Sequence, residues 1–353
     1  MRVQRLSLLL AISLPAEGAS GPTLPAEDGT VMIPAQESPY APGPRTVKVY
    51  VHYPGKSLNN VGPKTGLMLS LHNWGGTYWS GTADPEKLVD RYNVVAICVD
   101  YLHSGKTETR EPGPYDFGYL QALDALRALY FVFHALEDRG TQFARGRIYA
   151  TGGSGGGNVT LMVNKLAPRT FACVLDKCGM AELTDDIAFG LDGGSRLNAG
   201  YSRNPDRPNY LSPDAQALRC VGLPDHLSRL KAHGNRCKII VVHGATDNVC
   251  PVDDKRKMVR CMHEAGLDVE AHFVAAGDLD GTVLKSTGHS LGDRTLIVFR
   301  FADKYLKPDG PEARVRKGLC DFELRDEKVF YTTPNGRYVI SYKAGYPVGR
   351  FEK

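Results

Sequence analysis

The stretch that decides the fold is residues 149–166, YATGGSGGGNVTLMVNKL, in which six small residues, GGSGGG, stand between two apolar runs. Runs of glycine and serine often behave as flexible linkers between domains. Here, however, the run follows RIYATG, which is predicted to be a strand, and precedes NVTLMVNKLA, which is predicted to be a helix. A linker has no place between two consecutive elements of one sheet, so we interpret GGSGGG as a tight strand-to-helix turn.

From residue 46 onward, predicted strands and helices alternate along the chain. The runs TGLMLSLH and NVVAICVDY are short and almost continuously apolar, which is typical of strands buried on both faces of a parallel sheet. The segment DFGYLQALDALRALYFVFHALEDRG repeats its apolar residues at steps of three and four, which predicts a long amphipathic helix ending near Gly140. This order implies an α/β fold with a mostly parallel sheet and helices on both faces.

Two further segments depart from the alternation. Residues 180–236 are rich in Asp, Asn, Gly and Pro and are too long for an ordinary connection, so we expect a lid over one end of the sheet. After residue 307 the pattern changes to alternating runs separated by Asn335-Gly336, a strong hairpin signal. We therefore predict an α/β domain over residues 45–307, with the lid inserted in it, and a small β appendage over residues 308–353.

The N-terminal region has the layout of a secretory signal. Residues 1–19 contain a positively charged start, an apolar centre and an exit of small residues, and the apolar centre is too short to span a bilayer. Residues 20–44 are rich in Pro, Gly, Ala and Glu and are expected to form a disordered leader. The protein is thus predicted to be secreted or periplasmic, without stable membrane insertion.

Composition narrows the function classes. With 43 basic and 39 acidic residues intermixed, the net charge of +4 provides no electrostatic basis for binding nucleic acid. The eight cysteines are compatible with disulfides, and Cys220 and Cys237, which bracket a polar segment, are the first candidate pair. No CxxC motif or Cys/His cluster has zinc-site spacing, so we expect neither a structural metal nor a cofactor.

Within the turn, residues 152–156 fit the pattern G-x-S-x-G. In that pattern a serine occupies a strained strand-to-helix turn, and the glycines on either side allow neighbouring backbones to approach closely. The glycine patterns of dinucleotide-binding and P-loop proteins are absent from the sequence. Ser154 is therefore the candidate nucleophile, at the carboxyl end of a central strand and above a helix N-terminus.

A serine hydroxyl needs a base to take its proton and a carboxylate to orient that base. On a turn of this kind the chain order is Ser, acid, His. HGATDNVCPVDD places Asp247 just after the penultimate strand, and STGHS places His289 just before the final helix. If Asp247 points away from the histidine, Asp278 or Asp280 is the alternative acid. His243 lies in the body of a strand and is expected to have a structural role.

Negative charge on the attacked carbonyl oxygen requires hydrogen-bond donors, an oxyanion hole. One donor is expected to be the backbone N–H of Gly155, immediately after the nucleophile. The second is expected from the loop LHNWGGTYW after the strand TGLMLSLH, and we assign it to the N–H of Trp74, with Asn73 as the alternative.

Several aromatic residues near this loop are candidates for substrate contact. Tyr78 and Trp79 follow Trp74 closely, and they either pack under the loop or form an aromatic wall facing an apolar or sugar substrate. His103 follows the strand NVVAICVDY and is a reserve candidate for lining the pocket.

Together, the G-x-S-x-G turn, the LHNWGG loop, HGATDNVCPVDD and STGHS resemble the α/β-hydrolase superfamily, above all its prolyl-oligopeptidase-like and acyl-esterase branches. The resemblance covers roughly residues 47–306. YDFGYLQALDALRALYF and GGSGGGNVTLMVNKLAPRTFACVLDKCG are similar to a bacterial α/β-hydrolase-like family of unknown function. Gly153 and Gly155 stand where the superfamily often has larger residues, and Asn73 replaces a common glycine.

The resemblance implies a secreted serine hydrolase that cleaves a small-molecule or polymer-borne carboxylic ester through an acyl-enzyme. Two alternatives stay open. One is a serine peptidase of the prolyl-oligopeptidase type, although such enzymes commonly carry a large β-propeller for which this sequence has no room. The other is a non-catalytic binding protein that keeps the fold and uses the C-terminal hairpin for contact.

Overall fold

The computed structural model describes residues 21–78, 80–106, 112–192, 194–325 and 328–353. The predicted signal peptide, residues 1–19, lies outside the described residues, as does Trp79. Within the described ranges, every helix is too short or too polar to cross a membrane.

An eight-stranded sheet forms the centre of the molecule. Its strands are β1 (Gly29–Ala35), β2 (Arg45–His52), β3 (Gly66–Leu71), β4 (Val94–Asp100), β5 (Ile148–Gly153), β6 (Cys173–Lys177), β7 (Lys238–Gly244) and β8 (Asp268–Val274). Their order in the sheet is β1-β2-β4-β3-β5-β6-β7-β8. β1 pairs antiparallel with β2 and β2 antiparallel with β4, whereas every pairing from β4 through β3 to β8 is parallel. The predicted mostly parallel sheet is thereby confirmed.

Helices cover both faces of the sheet, which explains why β3, β5, β6 and β7 are buried along their whole length. The helices are α1 (Pro85–Tyr92), α2 (Tyr119–Asp138), α3 (Gly155–Leu166), α4 (Asp185–Phe189), α5 (Pro213–Arg219), α6 (Pro224–Ala232), α7 (Val252–Glu264) and α8 (Arg294–Leu306). The apolar residues of α2, α3 and α7 are buried in the core on one face of the sheet, and those of α1 and α8 are buried on the other.

The expected disordered leader contains an ordered strand. Residues 29–35 form β1, which pairs along its whole length with β2, and Ile33 is fully buried against the core. The surrounding Pro, Gly and Glu residues made this region look disordered by composition. The alternation of Val31 and Ile33 toward the core is enough for an edge strand once β2 supplies the hydrogen-bond partners.

Residues 180–236 contain α4, α5 and α6, and we call residues 180–219 the cap. Apolar side chains of the cap cluster with Tyr115 and Phe117, whereas Leu227 and Leu230 of α6 pack in the main core. That the cap acts as a lid stays a prediction.

Arg219, at the end of α5, is fully buried and forms a 2.7 Å ion pair with Asp116. The other carboxylate oxygen of Asp116 accepts the N–H groups of Leu120 and Gln121 in the first turn of α2. Because this pair has no access to solvent, separating the cap from α2 would strip a buried charge of its partner.

The C-terminal appendage is a three-stranded antiparallel sheet of β9 (Lys328–Thr333), β10 (Gly336–Ser341) and β11 (Val348–Glu352). The expected hairpin joins β9 and β10, but its two turn residues are Pro334 and Asn335, and Gly336 begins β10. The buried Tyr331 and Tyr342 of the appendage donate hydrogen bonds to the carbonyl oxygens of Lys165 and Leu166 at the end of α3. The appendage therefore satisfies carbonyl groups that the helix itself leaves without partners.

The cysteines do not form the suggested disulfide. All eight are free thiols, and Cys220 and Cys237 are not paired. Cys237 is buried in the main core and contacts the carbonyl oxygen of Lys238, whereas Cys220 donates to Glu182. The polar segment between the two cysteines includes α6, which holds them in different environments.

Breaking the Arg219–Asp116 pair should destabilise the protein strongly. Arg219→Met leaves a buried carboxylate without its cation, and we expect a loss of about 3–5 kcal/mol in the free energy of unfolding, measured by urea denaturation. The matched control is Arg203→Met, because Arg203 forms an exposed pair with Asp185 in the same cap. The control should cost about 0–1 kcal/mol. Equal losses in the two variants would show that burial of the Arg219 pair does not hold the cap.

Candidate active site

The site is built around the turn between β5 and α3. Ser154 lies there with φ 56° and ψ −119°, a left-handed backbone that non-glycine residues rarely adopt. Its N–H donates to the carbonyl oxygen of Lys177 on the neighbouring strand at 2.8 Å, and its own carbonyl oxygen accepts the N–H of Asn158 at 3.0 Å. The turn is thus held by both the sheet and the helix, as the G-x-S-x-G pattern predicts.

Close packing of α3 against β3 explains why the last position of the G-x-S-x-G pattern, Gly156, is a glycine. A Cβ atom on Gly156 would lie 2.5 Å from the carbonyl oxygen of His72 and closer still to that of Leu71. α3 therefore packs directly against the end of β3, and only a residue without a side chain fits at this contact.

The structure brings Ser154, His289 and Asp247 together. His289 Nε2 lies 2.8 Å from Ser154 Oγ, and His289 Nδ1 lies 2.8 Å from Asp247 Oδ2. The side chain of Asp247 is fully buried, whereas that of His289 is 23% exposed. The carboxylate is therefore shielded behind the imidazole, and the serine and histidine face the accessible side.

The environment of Asp247 favours its ionised form. Burial alone would raise the pKa of this carboxyl group, but the hydrogen bond and charge of His289, the charge of His243 and the N–H of Val249 together hold its pKa below the usual range. Asp247 Oδ1 accepts the N–H groups of Val249 and Cys250 at 2.9 and 3.1 Å. An ionised carboxylate in this position can hold the imidazole in one orientation and stabilise its protonated form.

The two alternative acids have local roles. Asp278 accepts the N–H of Ala275 at 2.8 Å within its own turn. Asp280 accepts the N–H groups of Thr282 and Val283 and pairs with Arg300 on α8. Their carboxylates are thus engaged in the loop, and the geometry favours Asp247 as the partner of His289.

A second histidine contacts the same carboxylate. His243 is fully buried on β7, with Nε2 2.9 Å from the carbonyl oxygen of Cys250 and 3.3 Å from Asp247 Oδ2. Burial, helped by the positive charge of Lys255, lowers the pKa of His243 to about 4. The ring is therefore neutral near pH 7 and orders the loop after β7. The sequence indicated a structural histidine here, but not its contact with Asp247.

The loop after β3 lies against the first residue of α3. The backbone nitrogen of Trp74 lies 2.9 Å from the position that a Cβ atom on Gly155 would occupy. The N–H of Gly155 belongs to the first turn of α3 and has no partner within the helix. The carbonyl oxygen of Asn73 accepts the N–H of Gly76, and the side chain of Asn73 fills the space beside Gly81. Asn73 therefore orders the loop. Trp74 is therefore the better candidate for the second oxyanion donor.

Aromatic rings pack beside these two amides, and those of Tyr115 and Phe117 are fully buried. The Trp74 ring stacks on Tyr115 at 4.4 Å between centroids and meets Phe117 edge-on at 4.9 Å. Tyr115 Oη lies 3.2 Å from the same Cβ position of Gly155. Sequence reasoning missed Tyr115 and Phe117, although the aromatic run before α2, PYDFGY, was an available signal.

The remaining candidates for substrate contact serve the packing of loops. The Tyr78 ring stacks on Tyr50 of β2, and its hydroxyl group lies 2.6 Å from His52 Nε2. His103 is fully buried, and its Nδ1 accepts the N–H of Asp116 at 3.2 Å. These contacts anchor Tyr78 to the antiparallel side of the sheet and His103 to the start of α2. For Tyr78 this is the packing alternative, and contact of either residue with substrate stays a prediction.

Two groups of side chains could be considered as metal ligands. Cys178, Asp247 and His289 offer ligand atoms within 4.8 Å of one another, as do Asp28, His52 and Glu86. In the first group burial raises the pKa of the Cys178 thiol, which disfavours the thiolate that binds metals, and Asp247 and His289 are already hydrogen-bonded to each other. In the second group Asp28 already pairs with His52. The absence of a metal stays a prediction.

Adding one methyl group at Gly156 should test the packing of the turn. Gly156→Ala forces a Cβ atom against the backbone of β3, and we expect the free energy of unfolding to fall by about 1–3 kcal/mol in chemical denaturation. Gly277→Ala is the control, because no heavy atom lies within 4 Å of the added carbon there. The control should stay within about 0.5 kcal/mol of the unmodified protein. A Gly156→Ala protein as stable as the control would contradict the close approach of α3 to β3.

Solved structures share this fold. The chain is similar to a Mycobacterium tuberculosis puromycin-hydrolyzing peptidase, with 18% identity over 80% of this chain and 38% of that one and a TM-score of 0.51. It is also similar to Pyrococcus horikoshii acylaminoacyl peptidase, with 14% identity over 83% of this chain and 43% of that one and a TM-score of 0.54. The chain thus spans less than half the length of these proteins, and identities this low show the α/β-hydrolase fold alone.

No curated protein matches the chain. A family model described as "Protein of unknown function (DUF2920)" matches residues 109–302, which is more than half of the sequence and includes Ser154, Asp247 and His289. The similarity to a family of unknown function, inferred from the sequence, is confirmed. The chain belongs to the DUF2920 family, and it has the α/β-hydrolase fold.

Proposed function

We propose that the protein is a serine hydrolase that cleaves a carboxylic ester through an acyl-enzyme intermediate. The observation that carries this proposal is the continuous line of two 2.8 Å hydrogen bonds from Asp247 through His289 to Ser154. The signal-like pattern of residues 1–19 supports export of the enzyme from the cell.

In the first half of the reaction Ser154 Oγ attacks the carbonyl carbon of the ester. His289 Nε2 takes the serine proton as the new carbon–oxygen bond forms, because it lies within hydrogen-bond distance of Oγ. Asp247 holds the other ring nitrogen and stabilises the positive charge that develops on the imidazole. The imidazolium then returns the proton to the departing alcohol oxygen, which leaves the acyl group on Ser154.

The second half repeats these roles with water. His289 takes a proton from a water molecule, the resulting hydroxide attacks the acyl carbon, and the proton passes to Ser154 Oγ as the carboxylic acid leaves. In both halves the carbonyl oxygen becomes negatively charged. The N–H groups of Gly155 and Trp74 are the proposed donors to it, with support from the positive end of the α3 dipole.

Replacement of the nucleophile should abolish both labelling and turnover. A fluorophosphonate probe should label the unmodified protein at Ser154, located by mass spectrometry, and Ser154→Ala should lower ester hydrolysis by about four orders of magnitude or more. Ser228→Ala, on the exposed face of α6, is the control and should keep labelling and activity. Near-normal turnover by Ser154→Ala would refute the acyl-enzyme mechanism. A folded protein that resists every serine-directed probe would favour the non-catalytic alternative.

A serine peptidase is the second candidate, because the similar solved proteins are named as peptidases. The same arrangement of side chains can attack an amide carbonyl group. Cleavage of an amide differs in its leaving group, since the amine must be protonated by the imidazolium before the carbon–nitrogen bond breaks. The distinction therefore lies in the substrate that the cap and the aromatic rings beside the proposed oxyanion donors admit.

Matched substrate pairs should separate the two candidates. We expect acetyl, feruloyl or longer-chain esters to be cleaved with a kcat/KM well above that of the peptide or anilide carrying the same acyl group. Ser154→Ala provides the background for each substrate. Faster cleavage of peptides than of the matched esters would replace the esterase proposal with the peptidase.

A further inference from the structure

The space beside Gly153, the residue before the candidate nucleophile, is filled by two cationic side chains. A Cβ atom on Gly153 would lie 2.9 Å from Lys177 Cε, 3.5 Å from Lys177 Nζ and 3.4 Å from Arg294 Nε. Lys177 ends β6 and Arg294 begins α8, so two separate elements direct positive charge to one point behind the turn. The glycine that distinguishes this turn leaves the room for both side chains.

Neither cation has an acidic partner among the described residues. Lys177 is nearly fully buried, and the contact of its Nζ is with the carbonyl oxygen of Ser290 at 3.4 Å. Arg294 Nε is buried without a hydrogen-bond partner in the described part of the chain. The neighbouring acids are engaged elsewhere, since Asp176 pairs with Lys255 at 2.6 Å and Asp293 accepts the N–H of Leu296 at the start of α8.

Lys177 is buried and Arg294 is half-buried, and two like charges that converge on one point are unfavourable without a counter-charge. Burial and the nearby charge of Arg294 lower the pKa of Lys177 to about 8, so this ammonium group is still mostly protonated at pH 7, and arginine keeps its charge at that pH. A negative charge between the two groups would relieve the desolvation of Lys177 and the repulsion.

A small cavity lies at this point. It has room for roughly one water-sized body, and its lining includes the two cationic side chains and the backbone of the turn. Its full lining is Ala83, Thr151, Gly152, Gly153, Leu175, Lys177, Arg294 and Val298. A space of this size has no room for a polyatomic ligand, and a monatomic anion there would contact the lining on all sides.

We propose that a monatomic anion of the chloride class binds between Lys177 Nζ and Arg294 Nε, behind the serine turn. The anion bridges two parts of the candidate active site. The carbonyl oxygen of Lys177 holds the N–H of Ser154, and Ser290, which Lys177 Nζ contacts, directly follows His289. Binding of the anion therefore stabilises the turn and the histidine loop together. This site does not depend on the proposed esterase reaction, because its occupancy is measured without turnover.

Halide-dependent stability tests the site. The melting temperature is measured while chloride or bromide replaces gluconate at constant ionic strength and pH 7, and we expect halide to raise it by roughly 2 °C or more in the unmodified protein. The rise should be lost in Lys177→Met and in Arg294→Gln. Arg300→Gln, an exposed position on the same helix, is the matched control and should keep the rise. A rise of the same size in all variants, or none in the unmodified protein, would overturn the proposal.

Crystals of the unmodified protein grown in bromide give an independent result, which also decides the matter if the two variants fail to fold. We expect an anomalous bromide peak within hydrogen-bond distance of both Lys177 Nζ and Arg294 Nε. Well-defined density for a water molecule there, or bromide peaks confined to the protein surface, would overturn the proposal. Loss of esterase activity in Ser154→Ala leaves both of these measurements unchanged, so the two proposals fail or succeed separately.

Discussion

The active-site end of the molecule depends on one backbone constraint, the left-handed conformation of Ser154 between β5 and α3. Such a conformation costs a non-glycine residue roughly 1–3 kcal/mol and persists only where the surroundings determine it. Here the carbonyl oxygen of Lys177 binds the N–H of Ser154, and Gly156 lies against the backbone of β3. Since neither the strand nor the helix has room to relax, the hydroxyl group is presented to His289 instead of the core.

The surrounding structure keeps this geometry in place from two sides. Asp247 is held from behind by backbone N–H groups and by His243, so that it can orient His289. On the cap side, the buried pair of Arg219 and Asp116 joins α5 to the start of α2. These contacts hold the side chains in place, as the proposed hydrolysis requires for stabilising charge in a transition state without reorganisation at the moment of reaction.

The buried charges near the site are compensated in different ways. Asp247 is neutralised by histidine and amide hydrogen bonds, and Asp176 by Lys255. Lys177 and Arg294 have no such partner within the described ranges, although Lys177 Nζ lies 3.5 Å and Arg294 Nε 3.4 Å from the Cβ position of Gly153 in the serine turn. The proposed hydrolysis gives these two positive charges no role, and this is the reason to look for an anion there.

The sequence by itself determined the fold class and the order of Ser154, Asp247 and His289. Strand and helix periodicities and the glycine pattern are local signals, and the ends of parallel strands meet at one edge of a sheet. Local signals failed for residues 29–35, which needed β2 as a pairing partner, and they did not indicate the partners of Tyr78 and His103, which are His52 and Asp116. Only the tertiary structure decided the burial of Arg219 against Asp116, 103 positions away, and the convergence of Lys177 and Arg294 on Gly153. Contacts between residues so far apart along the chain leave no periodic pattern in the sequence, because they depend on how the elements pack.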